Sequence, residues 1–189
     1  MRIALSVFLF YCTIGFAQHS MEREFRILKK QFPTRSILLI NEHVQHIKRL
    51  KFYQEIDSSK SIYLAKFKKD NLWYGIQFKD NGDLDHIQIT IDPVDIPNET
   101  YTQVQTYLNN TFSKFKIKRI YQQYNSKNEP VALTFRNAFQ NLILPSVYYE
   151  FIITGKKNTH RDQYELLFDA EGNLVSTRTA PQNYDHILY

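Results

Sequence analysis

One pattern, Tyr-x3-Phe-x3-Gly-x-Leu, occurs twice in this chain, at residues 74–84 and 164–174, a constant offset of 90 positions. Four matches at a single offset are more than chance supplies, so the pattern predicts an internal repeat. Tyr74, Ile76 and Phe78 alternate along the chain and therefore share one face of a strand. Gly82 and Gly172 then supply turn residues that are free to adopt a positive φ. Each copy predicts a β-hairpin.

Flanking segments extend each hairpin into a three-stranded antiparallel meander. The first strands are predicted at residues 61–68 and 147–154, and the last at residues 84–91 and 174–179. Helical stripes at residues 21–32 and 100–112 would cover one face of the sheet. β-prone segments follow them at residues 36–40 and 116–124. Leu28-x3-Phe32 also matches Leu108-x3-Phe112, at an offset of 80.

The fold class predicted from these elements is α+β, with two tandem repeats that each place a helix on an antiparallel meander. The predicted map is a signal peptide (1–17), a first repeat (18–91), a short linker (92–97), a second repeat (98–180) and a tail (181–189). Because the linker is short, the halves are expected to pack as one rigid unit. The second copy gains about ten residues, and residues 131–141 could form an extra helix there. Residues 42–51 could also be helical, and the pattern leaves both segments open.

The N-terminus has the features of a cleaved secretory signal. A short cationic start precedes an apolar run, and Gly15 and Ala17 occupy the −3 and −1 positions of a cleavage site. The run is too short for a membrane anchor, so no stable membrane insertion is expected after cleavage. Lipidation of Cys12 is an alternative, although that processing wants a small residue where Tyr11 stands. The expected location is periplasmic or secreted.

Composition excludes several classes of protein. Cys12 is the only cysteine and lies inside the predicted signal, so the mature chain would hold no disulfide, thiolate metal site or cysteine nucleophile. The formal net charge of +5 is spread over basic clusters separated by Asp and Glu. Such a distribution is typical of a solvated surface and not of a phosphate-binding track, so nucleic acid is not an expected partner.

Catalytic and metal-binding motifs are weak. His43 and His46 stand three residues apart and would share a helical face, but nothing in the sequence fixes a third zinc ligand. Carboxylates cluster around Gly82, yet the distal glutamate of a calcium loop is missing and a hairpin turn explains the segment. Neither G-x-S-x-G nor a Walker-type loop is present. No catalytic residue, metal ligand or cofactor is predicted.

The candidate binding residues lie on the sheet face turned away from the helices. If the Tyr74 side chain points to the core, alternation sends its neighbours outward. This reasoning selects six candidates for ligand or partner binding: Trp73, Gln77, Gln88, Tyr148, Glu150 and Glu165. A face that combines the only Trp with Tyr and polar residues is typical of a recognition surface. The alternative is that the aromatic rings pack between the two halves.

The order of helix, strand and meander resembles the secreted PepSY-like proteins grouped with the β-lactamase inhibitory protein in Bacteroidetes-type bacteria. The motifs that carry the resemblance are Ile96-Pro97 before the second helix, Phe112 at its end and Phe168-Asp169-x2-Gly172-x-Leu174. The resemblance implies a non-catalytic binding or inhibitory role with an envelope protein or peptide as partner. Alternatives are a carrier of a small apolar ligand and a metal-dependent envelope hydrolase. The sequence predicts neither the partner's identity nor the oligomeric state.

Overall fold

A computed structural model describes residues 23–57, 60–127 and 129–180. The predicted signal peptide and the tail lie outside these residues. The strands are β1 (Arg23–Ile27), β2 (Lys48–Asp57), β3 (Lys60–Lys69), β4 (Leu72–Phe78), β5 (Leu84–Ile91), β6 (Lys114–Asn125), β7 (Tyr148–Lys157), β8 (His160–Phe168) and β9 (Leu174–Ala180). The α-helices are α1 (Thr34–His43), α2 (Asn98–Thr111) and α3 (Val131–Phe139), and 3-10 helices span Lys29–Gln31 and Pro93–Asp95.

The strands form one antiparallel sheet in which the spatial order follows the chain order from β1 to β9. The α+β class is thereby confirmed. Pairing of β5 with β6, from His86 opposite Asn125 to Ile91 opposite Ile120, carries the sheet across the predicted boundary at residues 92–97. A 3-10 helix, an α-helix and four strands occur twice in order, with α3 inserted in the second series. The division into two repeats with separate bounds stays a prediction.

The predicted meander strands are confirmed. Residues 61–68, 84–91 and 174–179 fall within β3, β5 and β9, residues 116–124 fall within β6, and the strand predicted at 147–154 begins one residue later, as β7. The second helix is also confirmed, since residues 100–111 lie in α2. Residues 131–139 form α3, so the extra segment of the second half is helical. Residues 42–51 are mixed, because α1 ends at His43 and β2 begins at Lys48.

The first helix was placed wrongly. Residues 23–27 form a strand, because Phe25 and Ile27 alternate with charged residues and the segment pairs with β2. The helix instead begins after Pro33, a residue that favours helix starts, and includes residues 36–40, for which a β-like segment was predicted. Ser36 and Ile40 are buried four positions apart, which is the helical spacing. A run of apolar residues at 37–40 masked that spacing.

The correspondence between the two helices is therefore different from the one inferred at an offset of 80. Leu28 lies before a 3-10 helix and Leu108 lies in α2, so the two positions are not equivalent. In the structure Pro33 precedes α1 as Pro97 precedes α2, and Ser36 and Thr100 follow three residues later. The offset between the helices is thus 64.

The N-terminal turn of each long helix contacts a hairpin turn. The Ser36 hydroxyl donates to the Gly82 carbonyl at 3.0 Å, and the Thr100 hydroxyl donates to the Ala170 carbonyl at 2.6 Å. Gly82 and Gly172 have φ of 81° and 87°, as predicted for turn glycines. The hairpin turns of the recurring motif therefore contact the N-terminal turns of α1 and α2 and help to position these helices.

Aromatic rings fill the layer between helices and sheet. Phe151 and Phe168 contact each other edge to face at 5.5 Å, and Phe32 lies 4.8 Å from Phe52. Such pairs stabilise the core beyond the area they bury. No helix in the described part of the chain is long and apolar enough to cross a membrane.

Two core tyrosines differ in hydrogen bonding, which gives a matched pair of predictions. The buried Tyr149 hydroxyl has no hydrogen-bond partner among the described residues, whereas the Tyr124 hydroxyl donates to the Leu142 carbonyl at 2.9 Å. We expect Tyr149→Phe to leave the free energy of unfolding unchanged or raise it by about 1 kcal/mol, and Tyr124→Phe to lower it by about 1 kcal/mol. Urea unfolding of both variants measures this. A larger loss for Tyr149→Phe would contradict the assignment.

Candidate functional site

The helix-free face of the sheet is concave. One cavity of about 370 Å³ is lined by residues of eight strands, β2 to β9. A flat sheet would spread eight strands over about 34 Å at the usual spacing of about 4.8 Å, too far for residues of all eight to line one cavity of this volume. The sheet therefore curls around this face, and side chains that are distant in sequence meet there.

Most of the residues that line the cavity have polar side chains. It consists of Glu55, Ile62, Leu64, Gln77, His86, Gln88, Tyr121, Gln123, Glu150, Glu165, Leu167, Ser176, Thr177 and Arg178. On β3 to β8 period-two alternation explains the composition, because the residues next to these in each strand point to the other face and form most of the apolar core. Several of the polar side chains are nevertheless buried, since the curled sheet shields them from solvent.

Four of the six candidates from the sequence line this cavity: Gln77, Gln88, Glu150 and Glu165. Trp73 and Tyr148 lie on the same sheet face but not in the lining. Trp73 packs against Tyr121 and Ile152, which belong to the second half of the chain. That contact is the one expected if this ring packs between the halves. A binding role for any of the six stays a prediction.

Several lining residues were missed by the sequence analysis. Glu55 and Leu64 are 3% and 1% exposed and come from β2 and β3. Glu55 was missed because residues beyond 51 were not assigned to a strand. Tyr121 and Gln123, in contrast, alternate with core residues of a strand that was predicted, so extending the alternation to that strand would have found them.

Hydrogen bonds position the carboxylates of the second half. The Gln123 side-chain amide donates to the Glu150 carboxylate at 2.8 Å. Arg178 on β9 donates through Nε to the carboxylate of Glu165, which is 4% exposed. A charge-assisted contact of this kind is stronger than a neutral hydrogen bond. It joins the edge strand to the cavity wall.

Lys66 is a buried cation on the same face, outside the cavity lining. Its ammonium donates to both Glu24 oxygens, at 2.6 and 2.8 Å, and lies 4.6 Å from the centre of the Tyr53 ring. Burial lowers the pKa of Lys66, and the Glu24 carboxylate offsets part of that effect. The pair therefore fastens β1 to β3 across β2.

A second polar contact lies at the end of β5. The Asp85 carboxylate is 3.0 Å from His86 Nδ1 and accepts a hydrogen bond from the Gln77 amide at 3.3 Å. The hydrogen bond with His86 is the main cause of a lowered pKa of Asp85. Gln77 is thus held by a neighbour at the margin of the cavity.

The geometry does not support either metal site considered from the sequence, a zinc site at His43 and His46 or a calcium loop around Gly82. Helix α1 ends at His43, whose ring stacks on Phe135 at 4.6 Å, and His46 follows with φ of 54°. The two histidines therefore do not share a helical face. In the turn at residues 80–83, Asn81 and Asp83 hydrogen-bond to each other. Within residues 23–57, 60–127 and 129–180, no three His, Cys, Asp or Glu side chains cluster as a metal site requires.

Comparisons with known proteins give structural matches alone. No family model matches the chain, and no curated protein matches it. A DUF2874 family protein from Bacteroides ovatus superposes with a TM-score of 0.56 at 14% identity, covering 82% of this chain and 92% of that one. A protein from Bacteroides eggerthii that is provisionally assigned to the periplasm superposes with a TM-score of 0.54 at 11% identity, and the match covers 82% of this chain and 93% of that one.

A BLIP-like protein from Bacteroides fragilis, named for its likeness to the β-lactamase inhibitory protein, has a TM-score of 0.50 at 14% identity. The match covers 83% of this chain and 92% of that one. Identities this low establish a shared fold and not a shared target. The chain thus has the α+β fold seen in DUF2874 and BLIP-like structures of Bacteroides.

Proposed function

We propose that this chain is a periplasmic or secreted, non-catalytic binding module of the PepSY-like and BLIP-like kind, which recognises a protein or peptide through the concave sheet face. The observation that carries the proposal is the cavity to which eight consecutive strands contribute. Concave sites with a few convergent polar groups are the usual places for recognition.

Three further observations support it. The face combines an apolar contact of Trp73, Tyr121 and Ile152 with a polar cavity beside it, as interfaces commonly do. The solved structures with this fold include a BLIP-like protein and a protein that is provisionally assigned to the periplasm. The N-terminal sequence predicts export. The module would act by steric occlusion or scaffolding.

Blocking the cavity should remove partner binding. Ser176 is an exposed lining residue on the edge strand, so Ser176→Trp would fill the cavity without disturbing the core. We expect this variant to lose at least about tenfold in affinity for proteins captured from cell-envelope extract, since the partner's contact surface is occluded. The measurement is quantitative capture by the mature, immobilised chain.

The matched control is Gln105→Trp, which places the same ring on an exposed position of α2, on the other side of the sheet. It should capture the same proteins as the wild type. Equal capture by both variants, or a loss confined to Gln105→Trp, would overturn the assignment of the concave face. A Trp73→Ala/Tyr148→Ala variant then tests whether binding extends beyond the cavity.

A further inference from the structure

We propose that the cavity accepts a positively charged side chain, of lysine or arginine, presented by a peptide segment of the partner. This inference rests on the proposed binding function and specifies the chemistry of what is bound. Its three supports are the charge of the lining, an amide side chain in the cavity wall without a hydrogen bond to the described residues, and the apolar part of the wall.

The formal charge of the lining is negative although the chain as a whole carries +5. Three carboxylates, of Glu55, Glu150 and Glu165, face one guanidinium, of Arg178. Arg178 pairs with Glu165, and Lys66, which lies on the same sheet face outside the lining, interacts with the charge of Glu55. The lining itself keeps an excess of carboxylates. A concave wall with a net charge and low-dielectric surroundings concentrates the opposite charge.

Gln88 supplies the second, independent observation. Its side chain is only 6% exposed, lines the cavity and has no hydrogen bond to another side chain or backbone group among the described residues. Directly opposite, across β5 and β6, Gln123 uses its amide nitrogen on Glu150. Because this amide lines the cavity, its oxygen can accept a hydrogen bond from an N–H donor on the ligand.

The apolar part of the wall fits the stem of a long basic side chain. Leu64 and Tyr121 are both 1% exposed at the cavity, and Ile62 and Leu167 contribute further apolar surface. Lysine and arginine bury their methylene stems while the charged head finds polar partners. An anion would meet the carboxylates, and a purely apolar ligand would offer the Gln88 amide no hydrogen bond.

The test is an NMR titration of the ¹⁵N-labelled mature chain with four capped tripeptides, Gly-Lys-Gly, Gly-Arg-Gly, Gly-norleucine-Gly and Gly-Glu-Gly. We expect the lysine or the arginine peptide to shift amides of β5, β6 and β7, and to bind at least about tenfold more tightly than the norleucine and glutamate peptides. Equal affinity of basic and norleucine peptides, or no binding of a basic peptide, overturns the inference.

Two variants and one control identify the site. Glu150→Gln keeps the shape and removes one charge, so binding of the basic peptide should weaken about fivefold. Gln88→Leu should unfold at the same temperature or higher yet bind more weakly, which a purely structural role would not produce. Glu99→Gln, exposed in the first turn of α2, should bind as the wild type does. Unchanged affinity in both cavity variants contradicts the proposal.

A final arm uses n-butylammonium chloride. If it binds as tightly as the lysine peptide, the site takes free amines and the peptide part of the proposal is wrong. A failure of the cationic assignment can be distinguished from a failure of the proposed binding function. If Ser176→Trp abolishes partner capture while no basic peptide binds, the concave face is the interface and only the cationic assignment falls.

Discussion

Gly172→Ala is expected to lower the free energy of unfolding by about 2–4 kcal/mol, a large part of the roughly 5–15 kcal/mol by which native domains are stable. Gly172 has φ of 87°, and an alanine in this left-handed conformation would destabilise the folded state by about 1 kcal/mol. An added Cβ would also lie 2.7 Å from the Thr100 carbonyl oxygen and 2.9 Å from the Gln103 Cβ. Relief requires the first turn of α2 to move.

Gly82→Ala is the matched control, because Gly82 has a similar φ of 81° in the other hairpin. There the added Cβ would meet only side-chain atoms of Pro33, Arg35 and Ser36, at 3.2 to 3.3 Å. We expect a loss of about 1–2 kcal/mol, mostly from backbone strain. Urea unfolding of the two variants measures the difference. Equal losses, or a larger loss at Gly82, would show that the clash with the Thr100 carbonyl is not the cause.

Alkaline unfolding should be steep and should begin near pH 10. Burial raises the pKa of several tyrosines, and four of these are buried in the fold: Tyr74 (pKa raised to about 12), Tyr121, Tyr124 and Tyr149. The unfolded chain loses these protons near pH 10, whereas the folded chain keeps them. Between pH 10 and the folded pKa values the unfolded state therefore binds fewer protons, and stability falls as pH rises. The limiting slope is about 1.4 kcal/mol per pH unit for each phenol.

Tyrosinate absorbance and far-UV circular dichroism, recorded together from pH 8 to 12.5, measure this. Exposed tyrosines should ionise gradually near pH 10, and the four buried ones in one step that coincides with loss of secondary structure. Tyr149→Phe should make the transition less steep by about one proton. Gradual ionisation of every tyrosine while the dichroism stays native would disprove the explanation.

Local patterns allowed most of the fold to be predicted because strand alternation and turn glycines are short-range signals. The strands around Gly82 and Gly172 are examples. The first helix was wrong because Phe25, Leu28 and Phe32 have helical spacing by coincidence, and pairing with β2 outweighs it. Tertiary contacts of this kind are not written in the local sequence.

The cavity could be predicted only in part. Alternation identified several residues as outward-facing, and four of the candidates chosen in this way line the cavity: Gln77, Gln88, Glu150 and Glu165. The curl of the sheet was not predictable, because it is the sum of small twists over nine strands. Without it, Glu55 on β2 and Arg178 on β9 cannot be known to border the same space.

The uninterrupted ladder from β1 to β9 bears on the thermodynamics of association. No hinge between halves interrupts the backbone hydrogen bonds at the β5–β6 junction, so the cavity wall is preorganised. A ligand would then lose its own freedom and immobilise side chains, but would not have to bring two domains together. Affinity at this site would depend chiefly on how well the ligand complements the side chains of the cavity, and little on closure of the protein around the ligand.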